Sequence, residues 1–274
     1  MHEPWAHSGG RLLREHLLAV AEGAADFSAW FDAAAPAQRW AYLAGLWHDL
    51  GKYRPGFQKY VQLADNPDAH IEGKVIGREK THSAAGALWA MQRLEQTHGA
   101  PGKLAAHVLA YLIAGHHAGL ADWNDGLEQR LADPDSLQEL QESLCANPPD
   151  DVLTPDGFTP DLRRIPGGAA GFALWVRMLF SCLVDADFLD TEAHFDAGKP
   201  ARREGFPTLA QMRDAFDAHM ATLPAALTPV NTLRTDILRQ CRAKAALAPD
   251  FTDRTLPAGR AQGLEGPLQA SRTM

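Results

Sequence analysis

The sequence predicts an all-α fold, a helical bundle with a metal site in its core, and three observations carry that expectation. Apolar residues recur at spacings of three and four along five separate stretches, as on helices with one inward face. No stretch alternates apolar and polar residues between hairpin turns, so no sheet is expected. A chain of 274 residues that is 46% hydrophobic is long enough to bury one substantial core.

The first helix is predicted in "GRLLREHLLAVAEGAADFSAWF", where Leu13, His16, Leu17 and Val20 share a face, so His16 points where the leucines point. "PAQRWAYLAGLWHDLGKY" starts a second at Pro36, carries Trp40, Leu43 and Trp47, and meets a stop signal at Gly51, which puts His48 and Asp49 in its last turn. "THSAAGALWAMQRLEQTHG" opens with Thr81 or Ser83 as N-cap and ends at Gly99, placing His82 at a helix N-terminus. "GKLAAHVLAYLIAGHHAGL" is an apolar helix that finishes in His116 and His117. "GGAAGFALWVRMLFSCLVDADFLDTE" is the fifth, and Arg177 near its middle, with Asp185 and Asp187 after it, marks a buried core helix rather than a membrane span.

Residues 53–80 and 122–166 are rich in Pro, Asp and Gly and read as connections with short helices inside, such as "SLQELQESL". The organisation expected is a domain over residues 1–225, a linker with one amphipathic helix over 226–250, and a disordered tail over 251–274, where no apolar periodicity survives. A formal net charge of −8 disfavours a surface that grips nucleic acid by bulk positive charge. Cys145, Cys182 and Cys241 are odd in number and form no CxxC pair, which suits a reducing compartment. Arg11, Arg14 and Glu15 interrupt the N-terminal leucines as no signal peptide allows, so a cytoplasmic location without a membrane partner is expected.

Each of His16, His48, Asp49, His82, His116, His117 and Asp187 falls on the apolar face or at the end of a helix. Any one of these histidines alone reads as a hydrogen-bonded core residue, as His107 and His219 do, and "HH" alone as a helix C-cap. His2, His7, His70, His98 and His194 read as surface or structural. Seven polar groups turned toward one core need something to organise them. Bundles build metal sites in this way, and imidazole with carboxylate suits Zn, Mn, Fe, Co or Ni rather than Ca. There are ligands enough for two ions if a carboxylate bridges them, an arrangement that hydrolyses phosphate esters.

The order His, His-Asp, His, Asp resembles the HD phosphohydrolase superfamily. "GLWHDLGKYRPGFQKY", "THSAAGA", "IAGHHAGLADW" and "SCLVDADFLDTE" narrow the resemblance to the HD nuclease domain of the CRISPR-associated nuclease-helicase of type I systems, over residues 5–245. The resemblance implies that His16, His48, Asp49 and Asp187 hold one metal. It also implies that Asp49 bridges to a second, completed by His82, His116 and His117, and that Lys52 steadies the phosphate. Asp185 competes with Asp187, since the two lie on different helical faces and only one can point inward. The implied activity is endonucleolytic cleavage of single-stranded DNA with Mn, Ni, Co or Fe, in an antiviral defence system whose RNA-guided surveillance complex opens the target. A nucleotide phosphohydrolase of the same superfamily is the alternative, and a non-catalytic adaptor a third. No GxxxxGK[ST] phosphate loop occurs, so the helicase is expected to be supplied separately or lost.

Overall fold

The computed structural model describes residues 3–32, 36–65, 81–155, 158–203, 205–223 and 228–245. The chain opens on a small antiparallel ribbon of β1 (Trp5–His7) and β2 (Arg11–Leu12). This ribbon corrects the expectation of no strand pairing. Gly9 and Gly10 take φ of +81° and +83°, which turns the chain in a space too short for alternation to register.

Helix α1 (Leu13–Ser28) buries Leu13, His16, Leu17, Val20, Ala21 and Ala24 along one stripe. It packs tightly on α2 (Pro36–Trp47), because a Cβ on Gly45 would lie 2.7 Å from Ala21 Cα. A short 3-10 turn, Leu50–Tyr53, leads from α2 into α3 (Pro55–Asp65). The next helical segment, α4 (Ser83–Gly115), breaks at Gly99, whose φ of 60° and ψ of −137° are not helical. Its two halves are the two helices expected on either side of Gly99. Beside it lie α5 (Glu128–Ala132), α6 (Pro134–Cys145) and α7 (Asp150–Leu153), the short helices foreseen in the polar stretch.

Helix α8 (Gly168–Phe195) closes the core against α1 and α2, with Trp175, Leu179, Leu183 and Ala186 buried. Trp40 of α2 sits edge-on to Trp175 at 5.3 Å between ring centroids. Length and apolarity alone would pass α8 for a membrane span. It is instead one-faced: Arg177 and Asp185 are exposed, as are Leu174 and Phe188, so it is less completely buried than its composition suggests. After α9 (Gly198–Ala201) come α10 (Leu209–Thr222) and α11 (Pro229–Ala245), bridged by an Arg242–Asp217 ion pair. The amphipathic α11 was expected and α10 was not, although Thr208 and Gln211 form a capping box at its start. The tail expected to be disordered, 251–274, lies outside the described residues.

Candidate metal centre

His48 and Asp49 stand just beyond α2, on the turn into Leu50–Tyr53, rather than in the last turn of the helix. Three contacts decide where they point. A Cβ on Gly51 would lie 2.3 Å from His82 O, so this turn lies backbone to backbone against the segment that enters α4. Gly86, one turn into α4, brings its backbone against the last carbonyl of α2, where a Cβ would be 1.8 Å from Trp47 O. Buried Arg54 ties the two segments together, donating to Gly51 O at 3.3 Å and to Thr81 O.

The N-terminus of α4 is capped from another helix. Neither Thr81 nor Ser83 caps it; His82 occupies the N-cap position, and its side chain makes no capping bond. Glu139 of α6, 3% exposed, accepts from Ala84 N and Ala85 N at 2.9 Å each, and its other oxygen accepts from the Thr81 hydroxyl at 3.0 Å. A carboxylate is favoured there by the helix dipole and by the open backbone donors. Glu139→Ala is expected to lower stability by about 1–3 kcal/mol, since two buried N–H groups lose their acceptor. It should also weaken any metal binding that involves His82 before any that involves His16, and equal loss at both in a metal titration would remove the positioning role.

Four elements deliver the polar side chains to one point: α1 brings His16, the turn after α2 brings His48 and Asp49, α4 brings His82, His116 and His117 at its two ends, and α8 brings Asp187. Asp49 is at the centre. Its Oδ2 lies 3.3 Å from His16 Nε2 and 3.2 Å from His48 Nε2, and its Oδ1 lies 3.4 Å from both His82 Nε2 and His116 Nε2. Asp187 Oδ1 is 3.4 Å from His16 Nε2 and 3.6 Å from His48 Nε2. His117 Nε2 approaches His82 Nε2 at 2.7 Å. Two clusters sharing Asp49 result, and within each the ligand atoms lie within 4.8 Å of one another.

The histidines are oriented as ligands. His48 Nδ1 donates to Gly45 O at 2.6 Å and His116 Nδ1 to Ile113 O at 2.7 Å, while His16 Nδ1 faces Asp190 Oδ2 at 2.7 Å. Each bond commits Nδ1 and leaves Nε2 aimed inward. The buried Nε2 atoms of His16, His48 and His116, and Asp49 Oδ1, have no hydrogen-bond partner among the described residues. Buried polar atoms left without a partner cost stability unless something takes them up, and three imidazole nitrogens around one carboxylate fit a divalent metal that displaces their protons.

Electrostatics give the same result. Burial disfavours a charged His16, yet the carboxylates of Asp187, Asp190 and Asp49 close around it outweigh burial and lift its pKa to about 9. At His48 burial is again overcome, by the charges of Asp49 and Asp187, and the pKa rises to about 10. Burial alone would raise Asp49, but the charges of His48, Lys52 and His82 hold it well below the usual carboxylate range, and Asp187 is held down by His16 and His48. Burial and the neighbouring charge of His116 push His117 down to about 4, leaving it a neutral ligand near neutral pH.

A pH dependence follows. Because the two histidines titrate above their unfolded value of 6.5, their stabilisation of the metal-free protein is complete below that pH. It is lost as pH rises through about 9 to 10. Metal replaces those protons, so its affinity climbs as they leave. The melting temperature of EDTA-treated protein should fall between about pH 7 and pH 10, and saturating Mn, Ni or Co should raise it more near pH 8 than near pH 6. A flat metal-free profile, or no shift with any metal, would count against the site.

Lys52, 5% exposed, places Nζ 2.6 Å from Asp49 Oδ2 with Phe57 beneath it. Asp185 is exposed and Asp187 faces the centre. Sequence reasoning missed Asp190, held by Arg11 at 2.8 Å and fixing His16 in turn. The signal was there, since Asp190 follows Asp187 by three residues, on the same side of a helix. His7, read as surface or structural, lies beside the centre, with its ring 4.8 Å from that of His16. Of the histidines read as core residues, His107 packs edge-on to Trp123 while His219 is exposed on α10. His2 and His70 lie outside the described residues.

A family model described as "Cas3, HD domain" matches residues 6–150 of the 274. Asp187 lies beyond that span, so its place at the centre rests on geometry. No curated protein matches the chain.

Proposed function

From the premise that the chain belongs to the Cas3 HD-domain family, and so is a CRISPR-associated HD nuclease, we propose that it is a two-metal endonuclease acting on single-stranded DNA. The observation that carries this reading is the second cluster. His16, His48, Asp49 and Asp187 would suffice for one ion, whereas His82, His116 and His117 share Asp49 with them and would hold another. Mn, Ni, Co or Fe suits imidazole and carboxylate better than Mg, which prefers oxygen. Such a pair of ions, when bound, supplies a hydroxide near neutral pH and stabilises charge on a phosphoryl group.

The protein's own residues do the rest. Asp49 orients both clusters from one carboxylate, and the Nδ1 bonds of His16, His48 and His116 keep the rings from turning. Lys52 brings its ammonium group to the same carboxylate, and its role in this reading is to steady the phosphate. Exposed His117 and part-exposed Asp187 mark the open side of the centre. With a net charge of −8, the chain needs its strand delivered by an RNA-guided complex and a helicase, in the cytoplasm where such assemblies act.

Cleavage of circular single-stranded DNA with Mn, Ni or Co, set beside an EDTA control and a nucleotide panel, tests the reading. Loss of the circle only with metal supports it, because a circle has no ends for an exonuclease. Turnover of nucleotides with the circle intact would make the protein a nucleotide phosphohydrolase.

A further inference from the structure

A cavity of about 610 Å³ opens between the second half of α4 and α8. Its walls include Tyr111, Trp123, Phe172 and Val176, with His107 against Trp123 and Arg177 at the exposed edge. The metal ligands are not among its lining residues. The two regions nevertheless share one seam. Val176 and Asp187 are eleven residues apart on α8, which places them within about 20° on one face and about 16 Å apart along the axis. On α4 the cavity residues precede His116, and Gly115 lies between, with Leu120 and Phe180 about 3.5 Å from where its Cβ would be. The residues after His116 and His117 run directly to Leu120 and Trp123, so one short connection joins the second metal cluster to the aromatic wall.

We infer that this groove is a nucleobase-binding subsite, in which bases of the single-stranded DNA stack on Trp123, Tyr111 and Phe172 while Arg177 faces the backbone phosphate, a few nucleotides from the metal centre. The inference rests on the nuclease reading and adds to it the place where the strand is held. Aromatic faces beside a cation bind single strands without sequence preference, because every base has a π-face and every nucleotide a phosphate. Arg177 is suited to the role. Its guanidinium donates only to Ala173 O, at 3.4 Å, and no carboxylate pairs with it among the described residues. A chain this acidic cannot hold DNA by general charge, so a local site of stacking plus one cation is the economical solution.

The test is fluorescence anisotropy of a labelled oligothymidylate with the full chain in EDTA, together with hydrolysis of bis-p-nitrophenyl phosphate in Mn. Trp123→Ala and Arg177→Gln should each weaken DNA binding about fivefold or more, with Trp123→Phe close to wild type, while turnover of the small diester, which reaches only the metals, stays within twofold. Arg177 is exposed, so its replacement keeps the test valid if Trp123→Ala fails to fold. Equal DNA affinity in wild type and both variants overturns the subsite and leaves the groove to an apolar protein partner. Wild type that hydrolyses the diester but does not bind the oligonucleotide overturns it as well. Wild type that turns over neither the diester nor DNA is a failure of the nuclease reading itself.

Discussion

Asp49→Ala is expected to lower metal-dependent DNA cleavage by at least about a thousandfold, since loss even of a group that merely orients a metal ligand costs 10–100-fold. Asp49 is the one residue common to both clusters, with Oδ2 toward His16 and His48 and Oδ1 toward His82 and His116. Its loss removes a ligand from both ions at once, whereas loss of His117 touches one. The helices should survive, because the apolar core of α1, α2, α4 and α8 does not run through this carboxylate. The metal-free variant should still melt earlier, since buried Lys52 and the raised histidines lose their counter-charge. Asp49→Asn keeps the shape without the charge and should be nearly as inactive. Circular dichroism with thermal melts, metal stoichiometry and a cleavage assay checks these statements. Retained cleavage in the alanine variant would end the bridging role.

Gly86→Ala is expected to produce the largest loss of stability from a single methyl group. The Cβ would lie 1.8 Å from Trp47 O, a backbone atom at the end of α2, and so cannot be relieved by turning a side chain. Overpacking of a core costs about 1–3 kcal/mol and more where backbone must move. Helix propensity favours alanine by up to about 1 kcal/mol, which is too little to reverse the sign. At about 2–4 °C per kcal/mol for a domain of this size, a fall of roughly 6–12 °C is expected for a cost near 3 kcal/mol. The same shift would carry His82 away from Asp49, so metal capacity at the second cluster should fall with the melting temperature. A variant as stable as wild type would show that α2 and α4 do not meet as closely as described.

Much of the fold was legible because helices announce themselves locally. The leucine stripe of α1, the break at Gly99 and the start at Pro36 are signals carried within one or two turns of chain. Not all of what escaped was hidden. The ribbon at Trp5–His7 and Arg11–Leu12 has too few residues to alternate, whereas α10 begins with a legible capping box and carries Leu209, Met212, Phe216 and Met220 at spacings of three and four, a local signal that was overlooked. The boundary after Trp47 was displaced for a different reason. Nothing local separates the last turn of a helix from the 3-10 turn that follows it, and contact with His82 across the fold decides it.

The sequence by itself determined that the protein is helical, that its histidines and aspartates sit at helix ends or on inward faces, and that its family is that of the Cas3 HD domain. These are properties of spacing and motif, carried by residues close together in the chain. Only the tertiary structure decided which of Asp185 and Asp187 faces the metals, that Asp190 rather than solvent fixes His16, and that Glu139, over fifty residues on, caps the helix entered at His82. Each of these is a contact between distant segments, and such contacts are set by how whole helices pack. A pattern with a period of 3.6 states that a side chain points inward but is silent about what it meets there.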